Sequence, residues 1–216
     1  MKHSELKTRH RAERAGHPRD HVLRVHRALS WLDRAEQADA DEDARFIFLW
    51  ISFNAAYARE LGSDASQTER ERLHAFLGQL VRVDAENQIG ALLWREFSGS
   101  VRLLLDNEYV FQPYWDWRNG RISETEYQRQ FDASRRAVAT ALKNNDTNTL
   151  LQVVCHRLYT LRNQLVHGGA SWNSDVNRDQ LRDSTNLLAR LVPLIIEIIM
   201  NNPDADWGPV HYPVAH

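Results

Sequence analysis

The residues of this chain best suited to chemistry are Arg162, Asn163 and His167, set in the run Leu161-Arg162-Asn163-Gln164-Leu165-Val166-His167-Gly168-Gly169. A histidine, with an ordinary pKa of about 6.5, gives or takes a proton near neutrality. A guanidinium offers a planar fork of donors that matches phosphate oxygens. An amide beside them can fix the imidazole or contact a phosphate. Such a set can move a proton at a phosphoester and stabilise the charge that grows on phosphorus-bound oxygen. At roughly 100° per helical residue, His156, Asn163 and His167 fall within about 40° of one another, and Arg162 lies on the flank. The plainer reading is structural. A charged histidine in a last helical turn interacts favourably with the helix dipole, by ~0.3–1 kcal/mol, and a surface arginine is usually solvated. Spacing alone does not separate the two readings.

The element that must carry these residues is a helix from about Leu150, in which Leu151, Val154, Leu158, Leu161 and Leu165 recur at three- and four-residue steps on one side. Gly168-Gly169 supplies its stop. Upstream, Val22, Val25, Leu29 and Leu32 mark a first helix from Asp20. A second, about Glu42 to Leu61, is apolar nearly all round and is expected at the centre of the core, ended by Gly62. Its Asn54 reads as a structural clamp, because a buried amide must find partners. The acidic run Asp39 to Asp43 lacks the ligand order of a calcium loop and suits a helix N-terminus.

Ser66-Gln67-Thr68-Glu69 and Ser123-Glu124-Thr125-Glu126 have the form of capping boxes. Between the helices that they start, Ile89, Leu92, Leu93 and Phe97 mark a further helix, with a break at Gly99. Phe111 to Trp117 reads as an aromatic connection, since Pro113 removes a donor, and as a lid on the bundle in preference to a base-stacking surface. Asn144-Asn145-Asp146 breaks the chain before the Arg-Asn-His helix. A last long helix from about Ser174 contains Pro193, and prolines at 203, 209 and 213 end it. The expected fold is all-α, a single-domain helical bundle of about six to seven helices. Residues 1–19 are expected as a basic flexible arm, 20–200 as the helical domain and 201–216 as an irregular tail.

The run Arg162 to His167 resembles the R-N-x-x-x-H signature of HEPN domains, and Trp50-Ile51-Ser52-Phe53-Asn54-Ala55-Ala56-Tyr57 is similar to the Trp-x-x-Phe-Asn-x-x-Tyr pattern on an early helix of the Apea-like branch. With the helices between them, the two patches span most of residues 20–200. The resemblance implies a metal-independent endoribonuclease, a toxin or defence effector, with Arg162, His167 and Asn163 catalytic. His156, on the same face, is read as RNA-binding. One histidine per chain is short of an acid and a base. HEPN ribonucleases are typically homodimers whose signature helices face each other, and two-fold closure makes that geometry natural. The family implies RNA as partner and, for its toxins, a small nucleotidyltransferase antitoxin. It also contains members that only dimerise or bind nucleotide, and this non-catalytic module is the alternative reading. No cofactor and no metal is expected.

Composition bounds these readings. The 216 residues carry 43% hydrophobic and 26% charged residues, with no run of 18 uncharged apolar ones, so no membrane partner is expected. The N-terminus has no secretory pattern, which points to the cytoplasm. The single cysteine, Cys155, is read as structural. A net charge of −2 argues against a broad electrostatic footprint on nucleic acid, so RNA contact should be local. The exception is residues 1–20, where lysines and arginines outnumber acids. That arm is read as a solvated terminus in preference to a nucleic-acid contact.

Overall fold

A computed structural model describes residues 2–58, 68–96, 98–175, 178–210 and 212. The N-terminal stretch, expected as an arm, is helical: α1 (His3–Glu13) buries Leu6 and His10, which supply the apolar contact that an isolated basic helix lacks. After a 3-10 turn, α2 (Arg19–Gln37) follows Pro18 and buries Val25, Ala28, Leu29 and Leu32 along one stripe. In α3 (Glu42–Tyr57), Asp41 caps the N-terminus through Oδ1, which accepts from the Ala44 N–H at 3.0 Å. Asp39 pairs with Arg45 at 3.1 Å, so the acidic run serves the helix end. Phe46, Leu49, Trp50, Phe53 and Ala56 are buried. The Ser52 hydroxyl donates to the Ala28 carbonyl at 2.7 Å, possible only where α2 and α3 pack closely. The expected Asn54 side-chain clamp is not seen: the buried Oδ1 has no partner among the described residues, and only the backbone carbonyl accepts, from the Ala58 N–H.

The next helix, α4 (Glu69–Val83), corrects the expected cap. Thr68, not Ser66, is the N-cap; its Oγ1 accepts from the Glu71 N–H at 3.2 Å and the Glu71 carboxylate accepts from the Thr68 N–H at 2.7 Å. Both frames satisfy the S/T-x-x-E pattern. Leu73, Phe76, Leu77 and Leu80 are buried, as their spacing requires. Ser66 and Gly62 lie outside the described residues.

The chain divides into two compact units, residues 1–88 with 185–216, and residues 89–184. The second unit begins within α5 (Gln88–Ala91), followed by a π turn (Leu92–Glu96) and α6 (Ser98–Asp106), so Gly99 lies inside a helix. Phe97 lies outside the described residues. A 3-10 turn (Glu108–Val110) leads to α7 (Gln112–Arg118), a helix where an irregular connection was expected. The physical reason is placement: Pro113 occupies the first turn, where its missing N–H needs no partner and its fixed φ suits the helix. In α8 (Glu124–Asn144), Ser123 caps as expected, accepting from the Glu126 N–H at 3.1 Å. The aromatics of α7 lie on α8, with Trp117 stacked on Tyr127 at 5.2 Å and 3°.

Asn145, in the left-handed region at φ 53°, ends α8, and Asp146 then caps α9 (Thr147–Val166). Last comes α10 (Arg178–Asn201), which contains Pro193; the unit boundary falls within it, after Ser184. In the first unit, Leu187, Leu188, Leu191, Val192, Ile195 and Ile199 of α10 are buried. Beyond it, Trp207 and Val210 are buried and the Trp207 indole N–H donates to the Asn202 carbonyl at 2.8 Å. The architecture is all-α, with ten α-helices among the described residues against the six to seven expected. The excess comes from α1, from α7, and from the π turn that separates α5 from α6. None of the described helices is long and apolar enough to cross a membrane.

Candidate active site

All of the candidate residues belong to α9 or its C-cap, within the second unit. Leu150, Leu151, Val154, Leu158 and Leu161 are buried as their spacing requires, and Leu165, the last of the stripe, is half-buried. Cys155 is buried too, and burial pushes its thiol up to about 12, the state of an inert structural cysteine. This apolar face anchors the helix and leaves its other side available.

Two polar contacts that the sequence reading missed fix α9 in place. Arg157 is 2% exposed; its Nη2 donates to the Leu105 carbonyl at 3.2 Å and to the Ser134 hydroxyl at 3.1 Å, and its guanidinium lies 4.2 Å from the centre of the Phe111 ring. Burial pulls its pKa down to about 10, still charged at neutrality. Nearer the C-terminus, the Gln164 amide donates to the Tyr109 carbonyl, which also accepts from the Trp115 indole N–H at 2.7 Å. The aromatic segment thus braces the helix that carries the site.

The C-terminus of α9 is a Schellman motif centred on the two glycines. The Gly169 N–H donates to the Gln164 carbonyl at 2.8 Å and the Gly168 N–H to the Leu165 carbonyl at 3.4 Å. Gly168 has φ 71°, a conformation that costs a residue with a Cβ ~1–2 kcal/mol. A Cβ on Gly169 would lie 3.2 Å from the Gln164 carbonyl oxygen. His167 is the C-cap residue, exposed, with its N–H donating to the Asn163 carbonyl at 3.0 Å. One turn of helix therefore joins the imidazole-bearing residue to the amide.

Arg162 and Asn163 are half-buried, and Nη1 of Arg162 donates to Oδ1 of Asn163 at 2.9 Å. The arginine is thereby turned toward the face that carries Asn163 and His167. His156 shares that face but stands apart: seven residues before Asn163 and eleven before His167, it is displaced by roughly 10 and 16 Å along the axis. Its carbonyl accepts from the Thr160 hydroxyl at 3.2 Å. The structure brings together Arg162, Asn163 and the backbone of His167, and leaves His156 two turns away.

Around the site, Val166 is 48% and Trp172 74% exposed, apolar side chains next to His167 and just past the glycines. Neither was singled out from sequence, although a tryptophan in a loop is a signal of contact with something outside the chain. Among the described residues no group of three or more His, Cys, Asp or Glu is placed to hold a metal ion. No family model matches this chain, and neither a curated protein nor a solved structure matches it.

Proposed function

We propose that the chain is a metal-independent endoribonuclease of the HEPN type, acting as a toxin or defence effector. The observation that carries the reading is the Arg162–Asn163 pair beside the exposed His167 at the end of one braced helix. In the proposed reaction a base takes the 2′-hydroxyl proton, the 2′-oxygen bonds to the adjacent phosphorus, and the bond to the 5′-oxygen breaks. An acid protonates that leaving oxygen, giving a 2′,3′-cyclic phosphate and a free 5′-hydroxyl. Arg162 stabilises the charge on the phosphoryl oxygens, and Asn163 orients it. His167 serves as base, and the same residue of a second copy serves as acid, across a two-fold axis near Asn163 and His167. Exposed Val166 and Trp172 are apolar surface for that second copy to cover.

A non-catalytic dimerisation or nucleotide-binding module is the second reading, favoured by the net charge of −2, which supplies little general attraction for RNA. One experiment separates them. Purified protein is incubated with total RNA in excess chelator beside His167→Ala, and the new ends are characterised. Cleavage that leaves cyclic phosphate and vanishes in the variant supports the enzyme. A magnesium requirement, cleavage of DNA, or undiminished cleavage by the variant refutes it. A dimer that never cuts RNA supports the module.

A further inference from the structure

In the first unit a group of bases gathers where α1 folds back along α2. Lys7, Arg11 and Arg14 stand at i, i+4 and i+7, with Arg14 extending the helix at φ −56° and ψ −27°, so they share one face over roughly 10 Å of its axis. From α2, His26 meets them: the Lys7 ammonium donates to its Nδ1 at 3.3 Å, and its ring stacks on that of His10 with centres 6.5 Å apart. None of Lys7, Arg11 and Arg14 forms an ion pair among the described residues. Asp33, the carboxylate that favours charge on Lys7, is held by His3 at 3.3 Å.

A helix C-terminus favours cations and accounts for Arg11 and Arg14 singly, by ~0.3–1 kcal/mol each. It does not account for an ammonium whose partner is a neutral imidazole. Nor does it account for His10, 2% exposed and set among the same cations with neither ring nitrogen hydrogen-bonded among the described residues. Lys7, His10 and His26 all hold their protons less firmly than usual. Burial is the first cause for each; Arg11 and Arg14 follow for Lys7, and Lys7 for both histidines, with Arg14 acting on both, Arg27 on His26, and the Val22 backbone opposing at His10. A multiply charged anion would relieve this crowding of like charge.

The extent of the cluster selects the anion. Beyond Lys7 lie Asp33 and Glu36, whose carboxylate accepts from the His3 N–H at 2.8 Å, and beyond Arg14 lies Asp20 in the first turn of α2. A nucleic-acid strand running past either end would meet carboxylates within a Debye length of about 8–10 Å. A compact anion would not.

We propose that this cluster binds a small condensed phosphate, two or three phosphoryl groups joined by shared oxygens. Arg11 and Arg14 donate to its outer oxygens. Lys7 and a protonated His26 donate from the other side, the anion replacing the bond between them. All the converging groups are bases suited to phosphate oxygen, so a nucleobase attached to the phosphates adds nothing. The site lies in the first unit and does not depend on the α9 reading.

The test is calorimetric titration of the full chain, at low ionic strength, with tripolyphosphate, inorganic phosphate, ATP and a short single-stranded DNA without terminal phosphates. Saturable tripolyphosphate binding is expected, with ATP equal to it within about threefold and inorganic phosphate weaker by about tenfold or more. Arg11→Ala with Arg14→Ala should weaken tripolyphosphate by about tenfold or more, whereas Arg70→Ala with Arg82→Ala, an equal change of net charge on α4, should leave it within about threefold. These four side chains are exposed, and melting curves check that the variants fold. From about pH 8 to 6 the native protein should gain affinity relative to His26→Gln, because the anion restores the proton of His26 while titration of the probe is common to both. No tripolyphosphate binding at millimolar concentration, or equal loss in the two double variants, overturns the proposal. So does ATP tighter than tripolyphosphate by tenfold or more, which would mean that a base is read. Displacement of tripolyphosphate by the DNA strand, or the same pH response in His26→Gln, overturns it as well.

Discussion

The guanidinium of Arg162 donates through Nη1 to Oδ1 of Asn163, 2.9 Å away, so neighbouring side chains that would normally diverge by about 100° around a helix are joined. In this bond the asparagine's oxygen is the acceptor. On the ribonuclease reading Asn163 is a positioning residue for the arginine. Asn163→Ala is expected to slow RNA cleavage by about 10- to 100-fold through misplacement of the cation. Both side chains are only half-buried, so the melting temperature should move by no more than about 2 °C. The rate and the melting curve are measured on the same preparation; a rate loss accompanied by unfolding would remove the positioning role.

Gly168 at φ 71° predicts an asymmetry between adjacent glycines. Gly168→Ala forces a Cβ into the left-handed region and should destabilise by ~1–2 kcal/mol. Gly169→Ala only presses a Cβ to 3.2 Å from the Gln164 oxygen and should cost less. Urea denaturation of the two variants gives the order directly; an equal or reversed order would mean that the C-cap is not closed as described.

Removing Arg24 should be among the most damaging single changes in the chain. Arg24→Leu leaves the carbonyls of Ala56, Ala58, Trp207 and Gly208 without the donor that they share, a loss of ~3–5 kcal/mol. Arg24→Lys should recover little, because an ammonium cannot present the fork that spans two pairs of carbonyls. Denaturation midpoints check both, and a Lys variant as stable as the native protein would refute the fork geometry.

Acid should weaken the protein before its carboxylates titrate. His21, 5% exposed, has its pKa lowered to about 4, chiefly by burial, then by His17, Arg24 and His10, with Asp204 opposing. Neither of its ring nitrogens has a hydrogen-bond partner among the described residues. Burial, with Lys7 next, also lowers His10. A histidine whose folded pKa lies below its unfolded value of about 6.5 stabilises the fold above that value, and the contribution is lost as pH falls toward the folded pKa. Stability should therefore decline between about pH 6.5 and 4, by ~1–3 kcal/mol from His21. Melting temperatures at pH 7 and 5 for the native protein and His21→Phe measure it: the drop should shrink in the variant, and an identical drop would assign the acid sensitivity elsewhere.

Much of the helical layout was legible in the sequence because its causes are local. The leucines of α9, the Ser123 cap, the break at Asn144-Asn145-Asp146 and the stop at Gly168-Gly169 are each decided within a few residues by periodicity, capping chemistry or φ. The run Arg162 to His167 was legible for the same reason. Its side chains share one helical turn, and the Arg162–Asn163 bond is a contact between neighbours.

Other features were decided by tertiary packing. Thr68 caps α4, and the local pattern could not single it out, because the Ser66 and Thr68 frames both fit it. α1 forms because Leu6 and His10 find a buried place that a composition rich in basic residues does not announce. Arg157 drew no reading from sequence, because what singles it out is its enclosure by Leu105, Ser134 and Phe111, none of them near it in the chain. Arg24 lies farthest from sequence reading: its carbonyl partners stand 32 to 184 residues away, and only the folded backbone gathers four acceptors tightly enough to replace the water that a buried guanidinium gives up.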